Sequence, residues 1–399
     1  MKTSSSSTAV NTAGSADLSF GNATPKNGTV IYRNTVGISR ALSNGSTLTA
    51  GLFTYQNNHF IGLTKHTPTG EEDINFGFWL TPAEDRDVLV DMLIQPDNKP
   101  LLLAANTDGE AAFVTRFRVD NGDVDKSFGT NGQVVLNQAI NLGETSKAGL
   151  AVQGDGNIIV VFNDGTKSFV YQLDESGRFI NFGNNGPLEV HGVLLSAVLT
   201  TAQGFVLAGT SNGKAHLSGY TNKGELNTGF GNNGLVHLPL SGNHDEQVTV
   251  LASGPEGRIA VVGGIAVVGD SHKLPHQMNF VASLLANGQL DMSFNAGQPL
   301  ETETNHGNYA SVTVQNDGKI VALARNDSGN LVKLLRHTVT GQLDADFGDQ
   351  GVAIAWNDTQ SRPQPSYIDK LERVLEEERL QSSGTLGGNA SFIGRLLSR

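Results

Sequence analysis

An aromatic-glycine pair, or a near relative of it, recurs seven times along this chain: Phe20-Gly21, Phe76-Gly77, Phe128-Gly129, Phe182-Gly183, Phe230-Gly231, Phe294-Asn295 and Phe347-Gly348. Successive Phe residues are separated by 56, 52, 54, 48, 64 and 53 positions. Self-similarity at such a period marks stacked or radially arranged supersecondary units, because a single unit of this size cannot bury its apolar face alone.

Aligned on the Phe, each period shows four short alternating segments bounded by turn residues, the pattern of antiparallel strands. The first follows the Phe-Gly pair, at residues 29–32, 78–80, 133–136, 187–190, 235–238, 299–302 and 352–355. The second and third form a hairpin around Asn44-Gly45, Asp97-Asn98, Asp155-Gly156, Gln203-Gly204, Glu256-Gly257 and Asp317-Gly318. Such pairs favour tight hairpins because positive φ is accessible to them. The fourth ends at Gly70, Gly122, Gly177, Gly224, Gly288 or Gly341, after which Asp73, Asp125, Asp291 and Asp344 are placed to cap a turn before the Phe. Calcium ligation by Asp120, Asp123 and Asp125 lacks the spacing of a known loop.

Six hairpins of four strands predict an all-β, six-bladed β-propeller of four-stranded antiparallel blades over residues 17–356, closed so that only short edges remain. The seventh first strand is then surplus, or residues 29–32 and 352–355 share a composite blade that joins the chain ends. Residues 312–322, Val-Thr-Val-Gln-Asn-Asp-Gly-Lys-Ile-Val-Ala, followed by 341–348, Gly-Gln-Leu-Asp-Ala-Asp-Phe-Gly, resemble the bacterial Delta-60 repeat family. That resemblance covers roughly residues 17–356, with departures at Asp97-Asn98, Gly229 and Asn295. It implies a propeller from a bacterium, often associated with surface or extracellular proteins, and brings no common catalytic residues.

Outside the repeat, residues 1–16 read as a polar, flexible segment without the basic start and apolar stretch of a secretory signal. The expectation is cytoplasmic location or export by a route independent of a signal peptide. Past Trp356, Pro363 and Pro365 mark a linker. Residues 367–380 then predict a short C-terminal helix with Ile368, Leu371 and Leu375 on one face, a stripe for docking on the propeller, self-association or a partner. Residues 381–399 read as a Gly-containing tail.

A formal charge of -12 argues against nucleic acid or an anionic membrane as the main partner. The absence of Cys removes disulfides, zinc-thiolate sites and thiol nucleophiles. No apolar run has the length of a membrane-spanning helix. No nucleophile elbow, P-loop, zinc-protease helix or dinucleotide motif is present, and no cofactor or metal is expected.

In an up-and-down blade the hairpins and Phe-Gly turns share one face, which leaves the irregular connections, at residues 51–59, 137–147, 239–247, 263–279 and 303–309, on the other. Variable loops on a rigid scaffold are where binding residues concentrate. The candidate binding residues are therefore Tyr55, His59, His244, Asp245, His272, His276, His306 and Tyr309, with Glu301 and Glu303 nearby. His and carboxylate supply polar or pH-sensitive contacts, and Tyr supplies a ring for stacking on sugars. The leading expectation is a non-enzymatic module that binds a protein or glycan through this face. A glycan-active hydrolase or lyase at the mouth of the ring and a scaffold within a larger secreted assembly are the alternatives.

Overall fold

The alternating segments pair with their chain neighbours into seven antiparallel sheets. A computed structural model describes residues 12–33, 36–55, 58–76, 79–83, 87–106, 111–141, 148–180, 182, 186–242, 244–266, 278–326, 328, 330–357, 370–374, 379–386 and 390–399. Blade 1 comprises Val36–Ala41, Thr47–Tyr55, Asn58–His66 and Trp79–Ala83, and blade 2 Asp87–Ile94, Pro100–Asn106, Ala112–Arg116 and Gln133–Leu136. Blade 3 comprises Gly149–Val152, Ile158–Asn163 and Lys167–Leu173, whose outer edge is shared by Phe179–Ile180 and Leu188–His191. Blade 4 is Leu194–Thr201, Gly204–Ser211, Lys214–Tyr220 and Leu235–Val236. Blade 5 is Asp245–Ser253, Ile259–Ala266, Met278–Leu284 and Leu300–Glu303, and blade 6 Asn308–Val314, Ile320–Arg325, Leu331–His337 and Val352–Asn357. The first strands of successive blades touch in a closed cycle that returns to blade 1, and so surround the centre of the ring.

The propeller has seven blades, not the six that the hairpin count predicts. The seventh takes Lys370–Val374, Arg379–Leu386 and Ala390–Leu397 from one end of the chain and its outer strand, Thr29–Arg33, from the other. The expected C-terminal helix is therefore absent from Lys370–Val374 and Arg379–Leu386, which are strands. Leu371 and Leu375 at helical spacing, in a run rich in Glu and Arg, carry a helix signal, but strand pairing overrides it and buries Leu371, Leu380 and Phe392 in one core. This seventh hairpin was invisible because residues 375–378, Leu-Glu-Glu-Glu, lack the Gly or Asn of the other turns. Helix is confined, among the described residues, to single 3₁₀ turns such as Thr304–His306, and no helix is long and apolar enough to cross a membrane.

Pairing also re-assigns the strand that follows each Phe-Gly. It is the outer strand of the same blade, so Val352–Asn357 completes blade 6, Thr29–Arg33 completes blade 7, and neither is surplus. Residues 12–16, within the segment expected to be flexible, lie along blade 7: Gly14 donates to the Leu397 carbonyl at 2.8 Å, and Leu397 donates to that of Ser15 at 2.9 Å.

The Phe-Gly turn joins neighbouring blades. Asp17, Asp73, Asp125, Asp291 and Asp344 accept a backbone N–H two residues ahead, as an Asx turn requires, and the Phe then enters the core. The next N–H leaves its own blade. Gly21 donates to Thr69, Gly129 to Ser176, Gly231 to Asn287 and Asn295 to Thr340, at 2.7 to 3.1 Å. Gly348 donates to Ala13 at 2.9 Å, so the N-terminal segment supplies the acceptor beside blade 7. The receiving turn needs Gly for a steric reason. A Cβ on Gly177 would lie 2.8 Å from the Gly129 nitrogen, and one on Gly288 would lie 2.8 Å from that of Gly231.

A buried cation reinforces the same junction in three blades. The Arg116, Arg336 and Arg395 guanidinium carbons sit 4.7, 4.5 and 4.1 Å from the ring centroids of Phe128, Phe347 and Phe20. Each then donates across to the next blade, Arg116 to the Glu175 carbonyl and Arg336 to that of Ser398 at 2.6 Å. Arg395, fully buried, donates to Pro68 at 2.8 Å and Gly45 at 2.5 Å, which locks the last blade onto the first. Arg395→Ala should leave these carbonyls unsatisfied and lower the unfolding free energy by about 3 kcal/mol or more in urea titrations, whereas truncation of exposed Arg118 should leave it unchanged.

Two histidines set an acid limit on this fold. His66 and His337 are buried at the ends of equivalent strands in blades 1 and 6, and burial lowers both from 6.5 to about 4. Since the folded-state values lie below the unfolded one, stability is full above about 6.5 and is lost as pH falls toward 4, by at most about 3 kcal/mol per residue. His337→Leu should flatten this loss when urea midpoints at pH 7 and pH 4.5 are compared, and an unchanged slope would remove His337 as its cause.

Candidate functional site

Because each strand reverses the last, the Asx turns and hairpins occupy one end of the blades. The connections between second and third strands, and those between blades, occupy the other. His244 ends the crossing from blade 4 to blade 5, Asp245 begins the next inner strand, and His306 lies in the 3₁₀ turn between blades 5 and 6. These predicted residues therefore do share the irregular face. Tyr55 and His59 belong to the paired ends of Thr47–Tyr55 and Asn58–His66 on that face, where the register sets Thr54 opposite His59. His272 and His276 lie outside the described residues.

Around blades 4 to 6 the face carries three groups of polar contacts that together form a rim. Lys214 Nζ donates to the His244 carbonyl at 2.8 Å and pairs with Glu246 Oε1 at 2.7 Å, while Glu246 Oε2 accepts the Ala215 N–H at 3.1 Å. Gly213 permits this approach, since a Cβ there would meet Asp245 Oδ1 at 2.4 Å. Glu301 accepts the Ser241 N–H at 2.6 Å and also its hydroxyl. His306 Nδ1 stands 3.3 Å from Lys333 Nζ, and desolvation together with that charge keeps the imidazole below its ordinary value. His244 Nδ1 is buried without a hydrogen-bond partner. Tyr309 is placed differently: it packs in the core between blades 5 and 6, with its hydroxyl 3.5 Å from Thr302 Oγ1, and burial raises its pKa. Among the described residues no group of three or more His, Asp or Glu is arranged to hold a metal ion.

A second charged cluster, at the centre of the ring, was missed by sequence reasoning. Asp91 lies beside a bulge in the inner strand of blade 2, where the register shifts between Leu89 and Asp91. A bulge re-aims the side chain next to it. Asp91 Oδ1 receives Arg40 of blade 1 at 3.0 Å and Lys370 of blade 7 at 2.8 Å, and Oδ2 receives the Leu150 N–H of blade 3 at 3.2 Å. Glu372 of blade 7 approaches Arg40 at 3.6 Å and accepts the Ala41 N–H at 2.8 Å. Four blades thus meet through two cations and two carboxylates. The carboxylates respond oppositely. Burial acts to raise Asp91, but Lys370, Arg40 and the hydrogen bonds outweigh it and hold Asp91 below the usual range, whereas burial dominates at Glu372 and raises it. The available signal was a charge within apolar strands, as in Val88-Leu-Val-Asp-Met-Leu-Ile94, where a core strand has no use for one.

No family model and no curated protein matches this chain. Solved structures are similar to it: a protein from Lactobacillus plantarum, at 14% identity and a TM-score of 0.50, covers 79% of this chain and 86% of its own. A polysaccharide lyase matches at 10% identity and 0.50 over 91% and 90%, and extracellular domains 1-2 of Drosophila Semaphorin 1a at 10% and 0.51 over 92% and 87%. At these identities the likeness shows the fold, and the chain is a seven-bladed β-propeller.

Asp91→Asn should cost about 3–5 kcal/mol in denaturant unfolding, because Arg40 and Lys370 lose their shared counter-charge inside the ring. A loss below about 1 kcal/mol would mean that solvent already screens the cluster.

Proposed function

We propose that this propeller is a non-enzymatic binding module that takes a protein or glycan partner on its irregular face. The observation that carries the reading is the polar rim of blades 4 to 6, where strand residues Lys214, Asp245, Glu301 and Lys333 and the connecting residues His244 and His306 share one face of a rigid ring. The described carboxylates there serve as structural acceptors, Glu246 for Lys214 and Ala215 and Glu301 for Ser241, and this supports recognition over acid-base work. The joint recurrence of Asp-capped Phe-Gly turns and Gly-containing hairpins supports reading the blades as a diverged Delta-60 array. A place in a larger bacterial surface assembly is the setting that this reading suggests.

A glycan hydrolase reading draws on one observation: Asp91 and Glu372 flank Arg40 and are shifted in opposite directions, as a base and an acid would be. Against it, Asp91 is already engaged by Arg40, Lys370 and two backbone N–H groups.

Full-length chain immobilised for partner capture should lose about tenfold or more of its recovered partner when Asp245→Lys and Lys333→Glu are combined, as expected for charge reversal at an interface centre. Glu225→Lys on the regular face should retain it. Turnover of a glycan panel, abolished in a folded Glu372→Gln variant, would replace this reading with the hydrolytic one.

A further inference from the structure

Blade 3 breaks the pattern of its neighbours at one place, and a groove opens there. Three residues before the Phe of each Phe-Gly pair, the other blades carry Asp17, Asp73, Asp125, Asn227, Asp291 and Asp344, but blade 3 carries Phe179. At the strand position where blades 2 and 6 place Arg116 and Arg336, blade 3 has Gln172, whose Nε2 donates to Gln153 at 2.5 Å. An ion pair has thus been exchanged for an amide and an aromatic ring. The outer edge is divided as well, since Phe179–Ile180 and Leu188–His191 both pair with Lys167–Leu173.

Between this edge and the end of blade 2 lies a groove of ≈ 220 Å³, lined by Asn137, Gln138, Tyr171, Gln172, Phe179 and Pro187, with Ile180 and Gly186. An aromatic ladder leads into it. Ring centroids step from Phe169 to Phe162 at 5.7 Å, to Tyr171 at 5.8 Å and to Phe179 at 5.7 Å, and burial falls from complete at Phe162 to 45% exposure at Phe179. The outermost ring is therefore held from behind by a rigid stack while its far side meets solvent. None of the described lining residues is charged. The nearby Glu189 is paired with Lys167 at 2.6 Å. Burial, with Glu189, pushes the Tyr171 hydroxyl up to about 12, so it remains a neutral donor at physiological pH, and it has no hydrogen bond among the described residues.

We infer that this groove binds a single neutral sugar ring, such as the terminal pyranose of a glycan. A pyranose presents one apolar C–H face, which suits an exposed, fixed aromatic. Around its edge it presents hydroxyls that donate and accept, which suits the carboxamides of Asn137 and Gln138. The described lining residues present no charge to a phosphate, a carboxylate or an ammonium group. The volume lies below the roughly 300–1,000 Å³ of drug-sized sites, which fits one ring and not an oligomer. This site is separate from the polar rim of blades 4 to 6.

Saturation-transfer NMR on the full-length chain, with methyl glycosides of glucose, galactose, mannose and N-acetylglucosamine and with methyl glucuronide as the acidic comparison, tests the inference. Transfer to at least one neutral glycoside is expected, weakened roughly three- to tenfold by Phe179→Ala and retained in Phe179→Trp. Because Phe179 is a half-buried residue at the edge of its sheet, its truncation should lower the unfolding midpoint only slightly. Should that variant fold poorly, Asn137→Ala, at an exposed position, provides the same readout. No transfer to any neutral glycoside, a preference for the glucuronide, or undiminished transfer in Phe179→Ala and Asn137→Ala would overturn it. The combined Asp245→Lys and Lys333→Glu variant should bind the sugar as the parent does, which separates failure here from failure of the irregular-face reading.

Discussion

Blade-to-blade attachment in this ring depends on a turn that spends its last hydrogen bond outside its own sheet. The Asp- or Asn-capped turn buries the Phe, and the following N–H then has no partner at home and takes a carbonyl of the next blade, as Gly129 does from Ser176 and Gly231 from Asn287. A buried donor left unpaired costs more than the bond contributes when formed, so the junction holds mainly because its absence is expensive. The Gly that receives each turn, and the guanidinium stacked on Phe20, Phe128 or Phe347, follow from the same closeness.

Ring closure obeys this rule with residues drawn from both chain ends. The C-terminal three strands bring no Phe-Gly turn and no outer strand of their own, and residues 12–33 supply both. Arg395 then meets Phe20 on one side and carbonyls of blade 1 on the other, so a single side chain ties the C-terminal strands, the N-terminal turn and the first blade. Closure is also marked at the ring's centre, where Arg40, Asp91, Lys370 and Glu372 join blades 7, 1 and 2. Such a cluster is a costly way to fill space compared with apolar side chains.

The candidate sites were legible to different degrees, for physical reasons. The division into a regular and an irregular face follows from strand direction alone, which is why His244, Asp245 and His306 fall where the sequence puts them. Tyr309 shows the limit of that argument. It sits beside an irregular loop, yet its ring fills the core between two blades, because membership of a loop does not say which way a side chain points. The central charges were harder still, since Arg40 and Asp91 are 51 positions apart and Lys370 comes from a segment that reads as a helix.

By itself the sequence determined the strand-and-turn alphabet: the Phe-Gly anchors, the Asx caps, the hairpins with left-handed residues, and hence a propeller with two unlike faces. These are local properties, set by backbone preferences over a few residues. Only the tertiary structure decided that there are seven blades, that Lys370–Val374, Arg379–Leu386 and Ala390–Leu397 are strands, and that Phe179 faces a groove while Tyr309 does not. Those outcomes depend on what lies across a sheet edge or in the next blade, and a partner distant in the chain leaves no mark on local spacing.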